Sequence, residues 1–280
     1  MEEVRKPAAA GKYYPEGKKE LSSSVKKYIY CADARKRNVY GIIAPHAGYA
    51  YSGETAAYSY KAINNKSFDC FILLGPNHTG YGNKISITSK NFETPLGIVE
   101  TDKEFCSELI KKCGESDDAH AYEHCLEVQL PFIASIFKKA KIVPIVLSLD
   151  SYSECTELAK ELEKTAKKLK RKICVIVSSD FTHYGPVYGF VPFSGNSGEV
   201  KKKMHEIDRK AISFIEQLKS KEFFEYSKNT TICGAPAIAV AIELCRRLGS
   251  KKASLLKYTT SGEISGDYSN AVGYASIVFE

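Results

Sequence analysis

Apolar residues along the chain fall into two patterns. Short runs without polar alternation, FDCFILLGP at 68–76 and KICVIVSSD at 172–180 above all, read as strands buried on both faces. NVYGIIAP (38–45), AKIVPIVLSL (140–149), SLLKYTT (254–260) and NAVGYASIVF (270–279) join them, with NKISITS (83–89) as a shorter alternating strand. Between these lie segments whose apolar positions recur every three or four residues, the signature of helices with one face inward. They predict helices at 22–32, 53–63, 101–114, 124–138, 153–170, 199–218 and 234–249. In the fifth of these, Leu158, Leu162 and Leu169 share a stripe and Glu163 and Lys167 form a surface pair. In the third, Thr101 and Glu104 predict a capping box and Gly114 a stop. In the fourth, Pro131 marks a start or a kink. Strands without surface alternation, separated by helices, predict a sheet covered on both faces. No repeat or long Pro/Gly/Ser linker divides the sequence, so residues 1–280 read as one three-layer α/β/α domain with a mostly parallel or mixed central sheet.

Composition narrows the function classes. Hydrophobic residues make up 44% of the 280, enough for a full core, and the formal charge is +7. The excess lysine sits in runs such as 167–172 and 201–203, on helix-like segments with few aromatics, which reads as solvated helix faces and not as a nucleic-acid surface. No apolar run approaches the roughly 18 residues of a membrane span, and the N-terminal stretch lacks a signal-peptide core, so a cytoplasmic protein is expected. The nine cysteines contain no C-x-x-C pair and mostly have apolar neighbours, which makes them small core residues.

The candidate chemistry lies at three strand endings. IIAPHAGY carries His46, FILLGPNHTGYG carries His78, and VIVSSDFTHYG carries Asp180 and His183. Open α/β sheets bind ligands beyond the carboxyl ends of their strands, so parallel neighbours would bring these side chains to one rim. Cys233 precedes the most apolar helix, where an N-terminus favours thiolate. Two histidines and a thiolate suit iron, copper or zinc with an open position. His183, oriented by Asp180, would serve as general acid/base, and Tyr49, Tyr51 and Asn77 would line the pocket. His120, Glu123 and His124 match H-x-x-E-H, but that zinc-protease pattern leaves His46, His78 and His183 unexplained. Glu123, His124 and Glu127 are expected on one helical face, supporting the rim. There is no G-x-S-x-G elbow or phosphate-cradling glycine loop.

The stretches RKPAAAGKYYP, IIAPHAGYAYSG, ILLGPNHTG, ETPLG, AHAYEHCLEVQLPF, VIVSSDFTHYG, TICG and LLKYTTSGEISGDYSNAVGYA run in order over nearly the whole chain. In these the sequence resembles the Memo family. The resemblance implies a fold similar to class III extradiol dioxygenases, non-haem iron enzymes that open catechol rings. It implies a site of His46, His78 and Cys233 with Asp180 and His183 beside it, a cysteine standing where the dioxygenases use a carboxylate. It implies Fe(II) or copper, redox or dioxygenase-like chemistry on a small molecule, and a radical-SAM protein as partner. A non-catalytic module for peptides or phosphorylated ligands is the alternative it carries. Tyr13 replaces the tryptophan of the family's N-terminal motif, a departure that bears on peptide docking.

Overall fold

The structure, a computed structural model, describes residues 3–63, 68–137 and 139–280. In chain order the strands are β1 (Val4–Arg5), β2 (Gly41–Ala44), β3 (Cys70–Pro76), β4 (Ile85–Ile87), β5 (Asn91–Thr94), β6 (Gly97–Val99), β7 (Lys141–Leu147), β8 (Ile173–Ser178), β9 (His183–Tyr184), β10 (Ala253–Thr260) and β11 (Ala271–Phe279). The helices are α1 (Lys18–Cys31), α2 (Tyr49–Ala62), α3 (Lys103–Cys113), α4 (Asp117–Ala121), α5 (Leu130–Ile136), α6 (Tyr152–Leu169), α7 (Ser197–Glu216), α8 (Ser220–Ser227), α9 (Ala235–Leu248) and α10 (Ser261–Ser265).

The main sheet runs β10-β11-β2-β8-β3-β7-β4, with β9 paired to the start of β11. Its centre, β2-β8-β3-β7, is parallel. Antiparallel β11 and β10 complete one side and β4 the other. The central strands alternate between two apolar layers. Ile43, Ile72, Leu74, Val175 and Val177 meet α3, α6, α7, α8 and α9 on one face. Ile42, Phe71, Leu73, Cys174 and Ile176 meet α1, α2 and α5 on the other. Burial on both faces is why these strands read as unbroken apolar runs, and the architecture is the expected three-layer mixed α/β.

Several local expectations are revised. Helix α3 is capped by Asp102, whose side chain accepts from the Phe105 amide, while the Thr101 hydroxyl donates to the Lys90 carbonyl. The helix expected over 124–138 is a 3-10 turn at Glu127–Gln129 followed by α5, and position 138 lies outside the described residues. A separate three-stranded sheet, β1-β5-β6, was not legible, because Val4 and Arg5 supply its third strand from far away in sequence. All nine cysteines are free: six are buried, Cys113 and Cys233 are partly covered, and Cys31 is exposed. No described helix is long and apolar enough to cross a membrane.

Candidate functional site

Strands β2, β3 and β8 are parallel, and the chain just past their carboxyl ends carries His46, His78 and the 179–183 loop to one place. The His46 ring lies edge-on to His78, with centroids 5.2 Å apart. His124 joins them, stacked on His78 at 4.8 Å and edge-on to His46 at 5.4 Å. One ligand atom from each of His46, His78 and His124 lies within 4.8 Å of the others.

His124 arrives by a route other than the one expected. Helix α4 stops at Ala121, so Glu123, His124 and Glu127 do not share a helical face. The Glu123 carboxylate instead leaves the helix to accept from the His78 amide (2.6 Å), the His78 ring Nδ1 (3.0 Å) and the Cys125 amide (3.0 Å). His120, the other histidine of the H-x-x-E-H pattern, turns away: its Nε2 bonds the Ser86 carbonyl at 3.0 Å and its ring meets Phe92. The zinc-protease geometry is therefore absent.

The hydrogen bonds fix the imidazole tautomers. The Ser178 hydroxyl donates to the Cys125 carbonyl (2.6 Å), so at 3.0 Å from His46 Nδ1 it acts as acceptor and Nδ1 carries the proton. Gln129 Nε2, bonded to the same hydroxyl and to the Pro45 carbonyl, holds that arrangement. The His78 Nδ1 proton points at Glu123, and Glu123 also lies 3.3 Å from His124 Nδ1. In His183, Nδ1 sits between the carbonyls of Phe181 (2.9 Å) and Thr231 (3.0 Å), so backbone and not Asp180 orients this ring. Each Nε2 is thereby left as a lone pair. Burial, reinforced by His78, holds the His46 pKa down at about 3, and burial with His46 holds His124 at about 4, so both rings stay neutral. Burial works against Glu123 ionising, yet its bonds from His78 and Cys125 keep it at about 2.

Cys233 lies in the turn before α9, where Gly234 lets the chain approach β8: a Cβ on Gly234 would fall 2.5 Å from Ser179 Cβ. The thiol sits 3.5 Å from His46 Nε2 and accepts from the Asp180 amide at 3.3 Å. The expected thiolate is not found. Burial and the neighbouring Asp180 push the Cys233 pKa up, outweighing the helix N-terminus. Asp180 Oδ1 accepts from the His46 amide at 2.8 Å, and burial raises its own pKa against the pull of His183.

His46, His78, His124, Asp180 and His183 floor a cleft of about 650 Å³, with Cys233 beneath His46 and not among the lining residues. Tyr51 lines it as expected, and so does Tyr13 of the N-terminal motif, stacked on His124 at 4.3 Å. Tyr49 does not: it opens α2, turns into the core and donates to the Val128 carbonyl. Nor does Asn77, whose side chain organises its own turn by accepting from Thr79 and Gly80. The far wall, from α10 and the approach to β11, was not assigned from sequence; it contributes Ser261, Asp267, Asn270 and Tyr274. Glu127 acts from behind. Fully buried, its carboxylate takes Arg5, the Ala8 and Ala9 amides and the Tyr14 hydroxyl, and Arg5 also donates to the carbonyls of His120 and Glu123. The N-terminal segment bearing Tyr13 is thus tied to the loop bearing Glu123 and His124.

A family model described as Memo-like protein matches residues 5–278. Among curated relatives, a MEMO1 family protein of Thermococcus onnurineus is 40% identical over 289 residues, covering 99% of both chains. One from Methanosarcina barkeri is 36% identical over 99% of this chain and 100% of its own length, and one from Nitrosopumilus maritimus is 38% identical over 99% of each.

Proposed function

The chain belongs to the Memo family, and from that premise we propose that its cleft is a metal centre built on His46 and His78, with Cys233 as third ligand and His124 placed to share or take that position. Imidazole and sulfur donors suit Fe(II) or copper, and zinc is also compatible with them. When bound, such an ion supplies an open coordination position and redox or dioxygenase-like chemistry for a small substrate.

The observation that carries this reading is the convergence of His46, His78 and His124, each with Nδ1 facing an acceptor, and with Nε2 of His46 meeting the Cys233 thiol. Acceptors behind histidine are the usual outer shell of a metal site, where they fix the tautomer and raise ligand basicity. The neutral rings of His46 and His124 need lose no proton to bind a cation. The Cys233 thiol must lose one, and a nearby cation reverses the local balance that keeps it protonated. His183, on the cleft wall with its Nδ1 proton held by two carbonyls, presents Nε2 as a proton acceptor toward a bound substrate. Tyr13 and Tyr51 form an aromatic wall.

Titration with cobalt(II), followed by absorption, tests this assignment. The expected result is one cobalt per chain with a thiolate charge-transfer band that Cys233→Ala removes and visible bands that His46→Ala removes. Unchanged spectra in His46→Ala would overturn the site. Loss of the visible bands in His124→Ala, with Cys233→Ala unaffected, would transfer the third position to His124.

A further inference from the structure

The protein carries 40 Lys and Arg against 33 Asp and Glu, yet among the described residues neither Lys nor Arg faces its cleft. Lys12 lies with its ammonium 5.8 Å from the centre of the Tyr13 ring, and it too is not among the residues facing the cleft. The cleft's formal charges are carboxylates at its two ends: Asp180 on the floor, beside His46, and Asp267 at the mouth. Asp267 is held in place by the Ser269 amide (2.7 Å) and hydroxyl (3.0 Å), bonds that favour its ionised form. Around it the wall offers neutral groups, Ser261, Asn270 and Tyr274. A cavity lined by one sign of charge concentrates ligands of the other sign, and an anionic group gains an ion pair only where a cation faces it.

We infer that the cleft selects small polar substrates with a cationic, amine-bearing tail over those with a carboxylate or phosphate tail, and that Asp267 is the residue that reads the tail. The inference rests on the proposed metal centre, which would hold the substrate's other end. An amine directed to the mouth meets the Asp267 carboxylate, while a carboxylate there meets like charge and no compensating donor from Lys or Arg.

The test uses protein loaded with zinc, which does no redox chemistry, and three probes sharing one chelating ring: catechol, its aminoethyl derivative dopamine and its carboxymethyl derivative homoprotocatechuate. Affinities are read by calorimetric titration. Dopamine should bind more tightly than homoprotocatechuate by up to about fivefold, the upper end for one exposed ion pair. Asp267→Asn should bring the two affinities together while leaving catechol unchanged, and added salt should narrow the wild-type gap. Equal affinities in the wild type, tighter binding of homoprotocatechuate, or a preference that survives in Asp267→Asn would overturn the inference with the metal centre intact. Failure of zinc to bind stoichiometrically would overturn the metal centre itself, and the inference with it.

Discussion

Acidification from pH 7 to pH 5 should weaken the metal-free fold by about 4 kcal/mol. Burial holds His46 at about 3, and His120 and His124 at about 4, against an ordinary value of 6.5. Below 6.5 the unfolded chain takes up protons that the folded chain refuses, so stability falls as pH falls. Each histidine accounts for about 1.8 kcal/mol between pH 7 and 5, and the three together for about 5 kcal/mol. Asp208 acts in the opposite sense. Burial raises it to about 6 against 3.8, so the folded state takes its proton first and recovers about 1.3 kcal/mol over the same interval. Asp180, also raised by burial, offsets in the same direction as Asp208. The fall is a large share of the 5–15 kcal/mol typical of a folded domain. Urea unfolding followed by circular dichroism in the presence of a chelator, at pH 7, 6 and 5, measures it. His120 isolates one contribution, since it lies outside the cleft and bonds Ser86. His120→Gln keeps a donor there and should reduce the pH sensitivity by about 1.8 kcal/mol. A wild-type stability flat across this range, or a variant as pH-sensitive as the wild type, would show that these buried histidines do not stay neutral in the fold.

Three substitutions probe the supports of the site. Glu123→Gln removes the charge behind His78 and should weaken zinc binding about 10–100-fold in a chelator competition, with the fold retained. Glu127→Gln leaves the Arg5 guanidinium buried without its counter-charge and should cost about 3–5 kcal/mol in chemical denaturation; a cost below 1 kcal/mol would contradict the burial described. Gly234→Ala forces the chain away from Ser179 and should abolish the thiolate band of the cobalt protein, which an unperturbed spectrum would disprove.

Much of this site is written in the sequence because strands buried on both faces are easy to recognise and their ends are fixed by the topology. Three apolar runs, each ending near a histidine, are enough to place His46, His78 and His183 on one rim. What the sequence hides depends on partners far along the chain. DDAHAYEH reads as helical, but Glu123 finds better bonds on His78, 45 residues earlier, and the helix ends. His124 thereby enters the cluster instead of merely supporting it. Glu127 looks like a helix-face charge until Arg5, 122 positions away, meets it in the interior. Local reasoning favours a thiolate at Cys233, since a helix begins beside it; tertiary burial and Asp180 reverse that. Tyr49 follows His46 by three residues, yet the first turn of α2 points it inward to Val128.

A metal centre on His46 and His78 would be visible in the metal content of protein purified without oxygen from metal-replete cells, measured by mass spectrometry on wild type, His46→Ala and His78→Ala. One iron or copper per chain is expected in the wild type and its loss in both variants, with the circular dichroism spectrum of each preserved. Metal-free wild type, or full metal retained in the two variants, would contradict it.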